Sequence, residues 1–461
     1  MNFLGLQGPE KLKDVTQILD GLRQDLTAKS LSSTERTQLL LKLRQHGTNP
    51  VNADPIYSKS GIETLMRYGV DGETTDERRA ALRCVANSLL LDPKMRQIFV
   101  DTGYGGKLAE MLKTDSSDDE MIISRILFLS TYDTTMDFEK LINAHGLGDN
   151  INYQISRHAE QFVKGGKDPL SQMDEMALTD TLKLIFNIAK LHPDLMPAFS
   201  PSIPHILEIL SRIEIPKRPL DGVVGYSINC LSVLDLDGNK SKDYESSQLF
   251  PASNQNRNVD SLINILKKAV ATYKTDDLDS QAITLLHLLI IIYEVAPEGP
   301  REHMRALILP EKSDRSVPIG QTDTLSSKLL KLSTTPSLNL KTAISELMFV
   351  LSGKDAETLT KNIGYGFAAG FLSSRELGVP QNTEESGLDS EINPITGQRW
   401  DAEPVDTGPP MTQEEKEREA ERLFVLFERA KANGLINVEN PVVQAAREGR
   451  LEELPDDADS D

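Results

Sequence analysis

Basic and amide side chains recur at one helical spacing in the first half of the chain. Arg83 and Asn87 are four residues apart, and Lys183 and Asn187 repeat the same pair. Residues at i and i+4 lie on one face of a helix. On such a face an amide can donate to and accept from the backbone of a bound peptide, and a basic residue can pair with a carboxylate.

Two further residues extend this pattern to neighbouring helices. A shift of 42 positions carries Arg83 onto Arg125, and the same shift carries Asn187 onto Asn229. Asparagine has poor helix propensity, so its recurrence on the same face of successive helices indicates a role other than helix formation. We predict a peptide-binding groove lined by Arg83, Asn87, Arg125, Lys183, Asn187 and Asn229. Two plainer interpretations stay open: that the asparagines hold neighbouring loops together, and that the basic residues form only a solvated face.

Sequence motifs of catalysis are absent from this chain. It contains no Walker A sequence, HExxH, paired CxxC, GxSxG or EF-hand loop. The glycines of 364–370 are spaced GxGxxxG, which differs from the dinucleotide fingerprint. The seven histidines show no ligand spacing, and His287, on an apolar helix, is expected in the core. We therefore predict neither an enzyme nor a cofactor or metal site.

The elements that must position the polar residues are helices arranged in repeats. Apolar residues recur at helical spacing in 77–91, 121–131, 178–191, 223–234, 279–295 and 341–351. The segment ALRCVANSLLLDPKMR (81–96) resembles TLKLIFNIAKLHPDLM (181–196), with apolar residues at equal offsets and a proline six residues after an asparagine. Such units predict an all-α, armadillo/HEAT-like helical-repeat solenoid. The steps between units are 42, 58 and 42 residues, so the longer one needs an insertion, expected at 164–173.

Charge divides the chain into a body and an acidic end. The 461 residues carry 70 acidic and 50 basic side chains, a net charge of −20. Residues 381–461 hold 21 acidic and 8 basic residues, which leaves only −7 for the rest. We predict a solenoid over 1–378, a flexible acidic tether over 379–411, an amphipathic helix over 412–434 and an acidic, disordered tail over 435–461.

Composition also restricts the partners and the compartment. The acidic balance argues against nucleic acid and against an anionic membrane surface. The longest apolar run, 285–292, is too short to span a bilayer, and neither a secretory signal nor a disulfide framework is visible. We expect a soluble, cytoplasmic protein that does not insert into membranes.

The predicted C-terminal helix has its own signals. Thr412 and Glu415 form a capping-box pattern, and Leu423, Phe424 and Phe427 follow on one apolar stripe. The stripe either packs back on the solenoid as a last cap or docks on a partner.

Five stretches resemble one family, the synembryns, which are guanine nucleotide exchange factors and folding chaperones of heterotrimeric G-protein α subunits. They are RILFLSTY (125–132), LKLIFNIAKL (182–191), ELMFVLSGKDAETLTKNIGYGFAAGFL (346–372), INPITGQ (392–398) and MTQEEKEREAERLFVLFERA (411–430). Their order matches as well, so the resemblance covers nearly the whole chain, and the tail is most similar to fungal members.

The resemblance implies a mechanism. Synembryn-like proteins bind the GDP-bound or nascent α subunit, draw its C-terminal helix into the concave groove and hold the nucleotide-free state until GTP binds. It implies that the six groove residues and the tail residues Leu423, Phe424 and Phe427 contact the α subunit. It also implies a monomer that is recruited to the cell cortex or plasma membrane through the α subunit.

Two points stay open beside this resemblance. A passive armadillo-type scaffold or adaptor would bind peptides without exchange activity. Ser386 has an acidic residue three positions later, Asp389, a pattern that suits phosphorylation by an acid-directed kinase.

Overall fold

The computed structural model describes residues 6–164, 170–237, 249–377, 392–393 and 395–403, with scattered residues between 412 and 425. The chain divides into two compact units, Met1–Glu403 and Pro404–Asp461.

The described part of the first unit is helical, which confirms the all-α prediction. Its β content is an isolated bridge between Ile392 and Arg399. The first ten helices are α1 (Gly8–Ala28), α2 (Ser33–His46), α3 (Lys59–Asp71), α4 (Thr75–Leu91), α5 (Lys94–Asp101), α6 (Gly105–Met111), α7 (Ser117–Leu129), α8 (Phe138–His145), α9 (Leu147–Lys164) and α10 (Gln172–Leu191). The next ten are α11 (Ile203–Arg212), α12 (Gly222–Val233), α13 (Arg257–Thr272), α14 (Thr275–Gln281), α15 (Ile283–Val295), α16 (Glu298–Ile308), α17 (Leu325–Leu332), α18 (Leu338–Leu351), α19 (Ala356–Ile363) and α20 (Tyr365–Ser374).

The helices stack in rows, as a solenoid requires. One row runs α2, α4, α7, α10, α12, α15 and α18, and each helix packs against the next. We call this row the ladder and its members rungs. A second row, α9, α11 and α13, packs behind it. Each rung contacts mainly its neighbours, which is the packing of a helical-repeat solenoid and confirms the predicted fold.

The unequal repeat lengths have a physical explanation. Between α7 and α10 lie α8 and the 18-residue helix α9, whereas between α4 and α7 lie α5 and α6, of 8 and 7 residues. The longer step of 58 residues therefore comes largely from a longer second helix. The segment between α9 and α10, residues 165–171, has seven residues against five in the segment between α6 and α7, residues 112–116, so the insertion expected at 164–173 explains little of the difference.

Local sequence sets where the rungs begin. Rung α4 starts with a capping box between Thr74 and Glu77, and α10 starts with another between Ser171 and Asp174. These side chains satisfy backbone N–H groups that the first turn leaves unpaired. Pro93 and Pro193 lie two positions after the ends of α4 and α10, where a proline cannot continue the helix.

The apolar positions matched by the internal repeat form the core. Leu82 and Val85 of α4, and Leu182 and Ile185 of α10, are at most 3% exposed. Full burial of such a side chain contributes about 1.5–3 kcal/mol. The apolar residues that occupy equal positions in 81–96 and 181–196 are therefore equivalent core residues of the two repeats.

The segment 279–295, predicted as one helix, is two. Helix α14 ends at Gln281 and α15 begins at Ile283, with a bend of 54° between them. Among the described residues, no single helix is both long enough and apolar enough to span a membrane. Helices α14 and α15 reach that length and hydropathy only when the two are counted together.

His287 is exposed on α15, so the prediction that it belongs to the core is wrong. Leu286 and Leu288 on either side of it are buried. The histidine lies on the solvent-facing side of a helix whose other positions are nearly all apolar.

A C-terminal segment, residues 392–393 and 395–403, lies against the solenoid; we call it the latch. The Ile319 amide donates to the Thr396 carbonyl at 3.1 Å, and the Arg399 amide donates to the Arg315 carbonyl at 2.9 Å. Backbone pairing of this kind fixes the chain in place. The latch falls within the predicted tether, 379–411, and differs there from the flexible chain that its composition predicts. Residues 379–391 and 404–411, which include Ser386, lie outside the described residues.

In the second unit the described residues include the start of the predicted C-terminal helix. The Glu415 amide donates to Thr412 Oγ1 at 3.3 Å, and the Thr412 amide donates to Glu415 Oε2 at 3.0 Å, which confirms the capping box. Phe424 is 38% exposed. Leu423, Phe427 and the predicted tail, 435–461, lie outside the described residues.

Candidate functional site

The six predicted groove residues lie on four consecutive rungs of the ladder. Rung α4 carries Arg83 and Asn87, α7 carries Arg125, α10 carries Lys183 and Asn187, and α12 carries Asn229. Five of them are partly exposed, and Asn187 is buried. We call the row of positions formed by the five partly exposed residues the ladder face. The fold therefore places five of the six predicted residues partly exposed on neighbouring helices and buries the sixth, Asn187.

Two basic residues of α4, Arg79 and Arg83, are paired with carboxylates of α7. Arg83 forms an ion pair with Asp118, and Arg79 Nε lies 2.6 Å from Asp119 Oδ1. Both carboxylates belong to the first turn of α7, where they also favour the helix dipole. Arg83 is thus an inter-rung contact, and its charge is balanced within the chain.

Arg125 and Lys183 share one carboxylate. Asp180 Oδ2 lies 2.7 Å from Arg125 Nη2, and Asp180 Oδ1 lies 3.2 Å from Lys183 Nζ. Asp180 is 2% exposed, whereas the side chains of Arg125 and Lys183 are 31% and 26% exposed. The carboxylate lies beneath the two cations, which face the solvent.

Two aromatic rings flank the Lys183 ammonium group. Its Nζ lies 5.5 Å from the ring centre of Phe128 on α7 and 4.8 Å from that of Tyr226 on α12. Cation–π attraction of this kind contributes about 0.5–1 kcal/mol at an exposed site. The rings hold Lys183 at the centre of the ladder face, between the neighbouring rungs.

The three asparagines differ in their surroundings. Asn187 is 8% exposed, and its Nδ2 donates to Thr131 Oγ1 at 2.7 Å. This bond joins α10 to the end of α7, as the plainer interpretation of the asparagines requires. Asn87 and Asn229 are partly exposed, so their side chains can reach a partner. The geometry therefore favours Asn87 and Asn229 over Asn187 as groove residues.

An apolar edge borders the polar positions. Leu90 and Leu191, at the ends of α4 and α10, are each 53% exposed, and Tyr132 lies after the end of α7. Arg96 lies over the Tyr132 ring, and Lys190 lies over the Phe186 ring. The ladder face thus combines paired charges with an apolar border, which suits an amphipathic helix.

A buried polar network fixes the rungs behind this face. Glu120 of α7 accepts hydrogen bonds from Thr181 of α10 at 2.7 Å and from Arg157 of α9, and His158 Nε2 lies 2.9 Å from it. Glu120 and His158 are fully buried. Every member of such a network needs its partners, so it specifies the spacing of α7, α9 and α10.

Sequence reasoning missed the carboxylates Asp118 and Asp180 and the rings of Phe128 and Tyr226. The spacing contained a signal for the rings, because Phe128 follows Arg125 by three positions and Tyr226 precedes Asn229 by three. Over the described residues, no group of three or more His, Cys, Asp or Glu is arranged to hold a metal ion.

The fold and this face define a helical-repeat binding protein. The chain belongs to the guanine nucleotide exchange factor synembryn family, whose model, Ric8, matches residues 39–450. Family membership confirms the resemblance and the predicted functional class, and the names of the relatives below add the role of chaperone.

The relatives are distant in sequence, and two of the three described here align with more than half of the chain. The chaperone Ric-8A of Macaca fascicularis is 25% identical over 449 residues, 87% of this chain and 81% of the relative. A synembryn-like chaperone of Schizosaccharomyces pombe is 26% identical over 309 residues, 61% of this chain and 57% of the relative. The chaperone Ric-8A of Rattus norvegicus is 33% identical over 169 residues, 34% of this chain and 31% of the relative.

Two solved structures are similar at low scores. A designed armadillo repeat protein is 12% identical with a TM-score of 0.37, and covers 61% of this chain and 98% of its own. An engineered protein is 15% identical with a TM-score of 0.38, and covers 80% of this chain and 85% of its own. At such scores the solenoid architecture rests on the helix packing described above.

Proposed function

We propose that this chain is a guanine nucleotide exchange factor and folding chaperone for the α subunits of heterotrimeric G proteins. We further propose that the ladder face receives the C-terminal helix of a GDP-bound or nascent α subunit. The main support for the proposal is that the residues predicted to contact a peptide lie on four consecutive helices of the ladder. The chain that carries them belongs to the synembryn family.

In this proposal the chain acts by differential binding. It binds the α subunit more tightly when the C-terminal helix is withdrawn from its place and the nucleotide pocket is open. To reverse a population ratio of 1:99, a binding partner needs a preference of about 10⁴-fold for the favoured state, or about 5.5 kcal/mol. Contacts along several rungs can supply such a preference, so the chain needs no catalytic group, cofactor or metal of its own.

The predicted C-terminal helix would provide a second contact. Phe424 is exposed in the second unit, and the capping box at Thr412 supports a helix that begins there. With Leu423 and Phe427 it would form an apolar stripe against the α subunit. Two linked contacts raise the overall affinity because the second binding event is intramolecular.

We also propose that the chain works as a cytoplasmic monomer and reaches the cell cortex or plasma membrane through the α subunit. The net charge of −20 supports recruitment by a protein, because anionic lipid would repel such a chain.

The test is the uptake of a fluorescent GTP analogue by a purified α subunit with and without this chain. The proposal expects faster uptake and a stable complex that lacks nucleotide. A passive scaffold would bind the α subunit and leave GDP release unchanged. Absence of both acceleration and a nucleotide-free complex would contradict the proposal.

The groove assignment has its own variant test. Arg83→Glu with Lys183→Glu should lower the affinity for the α subunit more than Lys267→Glu with Lys268→Glu. The control lysines are exposed on α13, away from the ladder. Equal losses from the two pairs would refute the assignment.

A further inference from the structure

Positive charge is distributed unevenly along the ladder face. Between α4 and α7, two cations, Arg79 and Arg83, meet two carboxylates, Asp118 and Asp119. This edge of the face is therefore neutral. A partner's carboxylate that approached Arg83 would have to compete with a carboxylate already in place.

Between α7 and α10 the balance differs. Arg125 and Lys183 share Asp180, and among the described residues no other carboxylate forms an ion pair with either cation. This cluster therefore carries one positive charge in excess. The excess charge is placed outward, because Asp180 is nearly fully buried while both cations are partly exposed.

The surroundings of Lys183 keep this excess charge in a fixed position. The Phe128 and Tyr226 rings lie on either side of the ammonium group and attract it without neutralising it. Asp180 holds the same group from beneath. A cation that is already held in place loses little side-chain freedom when it binds, which favours a specific contact.

From this arrangement we infer that Arg125 and Lys183 form the anion-binding subsite of the ladder face. The subsite takes one carboxylate of the partner, either a chain terminus or an acidic side chain. The Arg79–Arg83 edge does not take it, because its charges are already balanced. The inference rests on the proposed function, since it names what the partner helix must present and which rungs read it.

The same arrangement assigns a positioning role to Asp180. This carboxylate orients both cations and also offsets half of their charge. Asp180→Asn keeps the shape and the hydrogen-bond acceptor while it raises the excess charge of the subsite. The variant should therefore bind an anionic partner more tightly and with a steeper dependence on salt. A purely structural role for Asp180 predicts the opposite, because a loosened site binds less well.

The probe for the test is a fluorescent synthetic peptide with the sequence of the C-terminal helix of an α subunit, titrated with the full chain. Three forms of the peptide separate the sources of the carboxylate: the free acid, the C-terminal amide, and a form whose acidic side chains are replaced by amides. Weaker binding of the C-terminal amide would identify the terminal carboxylate as the group that binds the subsite. Weaker binding of the form with amidated side chains would identify an acidic side chain.

The variants separate the subsite from the neutral edge. Lys183→Gln should raise the Kd by about tenfold, the loss of one charge-assisted hydrogen bond, and should abolish the difference between the peptide forms. Arg79→Gln with Asp119→Asn removes a neutral pair from the same edge, at residues outside the predicted groove set, and should change the Kd by about twofold or less. Thermal unfolding of each variant identifies any that is misfolded.

The outcomes distinguish this inference from the proposed function. The subsite is overturned if Lys183→Gln and the double substitution of the neutral pair change the Kd equally. It is also overturned if the Asp180→Asn variant is folded but binds the peptide no more tightly than the unaltered chain. Either result leaves the groove assignment in place. Absence of any binding by the unaltered chain overturns the groove and the subsite together.

Discussion

Arg315 donates a hydrogen bond from Nη1 to the backbone carbonyl of Gly397, 3.0 Å away and 82 positions further along the chain. Its Nη2 donates to the carbonyl of Asn362 at 2.8 Å, at the end of α19. Arg315 is 7% exposed, and its burial lowers the pKa of the guanidinium while Asp314 opposes that shift. One buried side chain thus joins the latch to the last helices of the solenoid.

Arg315→Met should release the latch. The substitution leaves buried carbonyls without a donor, and each such group costs about 1–3 kcal/mol. We expect the free energy of unfolding to fall by about 2–4 kcal/mol, and amide hydrogen exchange to rise in residues 395–399. The matched control is Arg23→Met, which removes an exposed arginine paired with Asp20 and should cost about 1 kcal/mol or less. Unchanged exchange in the latch would contradict this account of Arg315.

Gly397→Ala should test how closely the latch packs. Gly397 has φ +65°, and a Cβ there would lie 2.6 Å from Ile319 Cδ1. Gly353 also has a positive φ, +72°, but a Cβ there would meet no atom within 4 Å. Gly353→Ala should therefore cost about 1–2 kcal/mol from backbone strain alone. Gly397→Ala should cost about 1–3 kcal/mol more, from overpacking. Urea unfolding of the two variants measures the difference, and equal losses would exclude close packing at the latch.

Asp25→Asn should alter how stability depends on pH. Burial would raise the pKa of Asp25, but hydrogen bonds from Arg36, the Leu31 amide and Tyr68 outweigh it and lower the pKa to about 2. The ordinary value is 3.8. The stabilisation is therefore complete above about pH 4 and is lost as the pH falls through 2. It corresponds to about 2 kcal/mol.

Unfolding of the wild-type and Asp25→Asn chains at several pH values measures this effect. The variant should be less stable at pH 7 by about 2 kcal/mol, and the two chains should converge as the pH falls from 4 towards 2. Parallel curves over that range would contradict the assigned role of Asp25.

Phe424→Asp should weaken the second contact that we propose for the tail. Loss of a central aromatic contact typically costs about 2 kcal/mol or more in an interface. We expect the affinity for the α subunit to fall by more than about tenfold, while unfolding of the solenoid is unchanged. Val425→Asp is the control, because Val425 is 40% exposed but lies about 100° further around a helix, off the predicted stripe. Similar losses from both variants would exclude a specific stripe.

The positions of the ladder residues could be predicted from the sequence because the helical i, i+4 spacing and the 42-residue repeat place them consistently. The helical spacing placed Arg83 and Asn87 on one face, and the 42-residue shift placed Arg125 on the next rung. A repeat in sequence is a repeat in structure when each unit packs on its neighbour in the same way. The solenoid and its ladder face were therefore predictable from one chain.

The counter-ions of the face were not predictable in the same way. Asp118 lies in the first turn of α7, where an acidic residue already suits the helix dipole, so it gave no sign of pairing with Arg83. Asp180 precedes Lys183 by three positions, a common spacing on any helix surface. Pairing between rungs becomes visible only when the helices are stacked.

The latch and His287 show two other limits. The INPITGQ motif carries the family resemblance, but its contact with Arg315 joins two segments that lie outside the α-helices and far apart in sequence, and neither shows a periodicity that predicts the contact. His287 was misplaced because α15 is apolar at nearly every position, so its pattern does not define a buried face. A long apolar run identifies a core helix without identifying its exposed phase.

We propose that this chain holds an α subunit in its nucleotide-free state. The most direct measurement is the nucleotide content of the complex, obtained by mixing the chain with a GDP-loaded α subunit and isolating the complex by size exclusion. We expect a one-to-one complex without bound nucleotide, which dissociates when GTP is added and is weakened by Lys183→Gln. A complex that retains its GDP would contradict the proposed exchange function and would favour a passive scaffold.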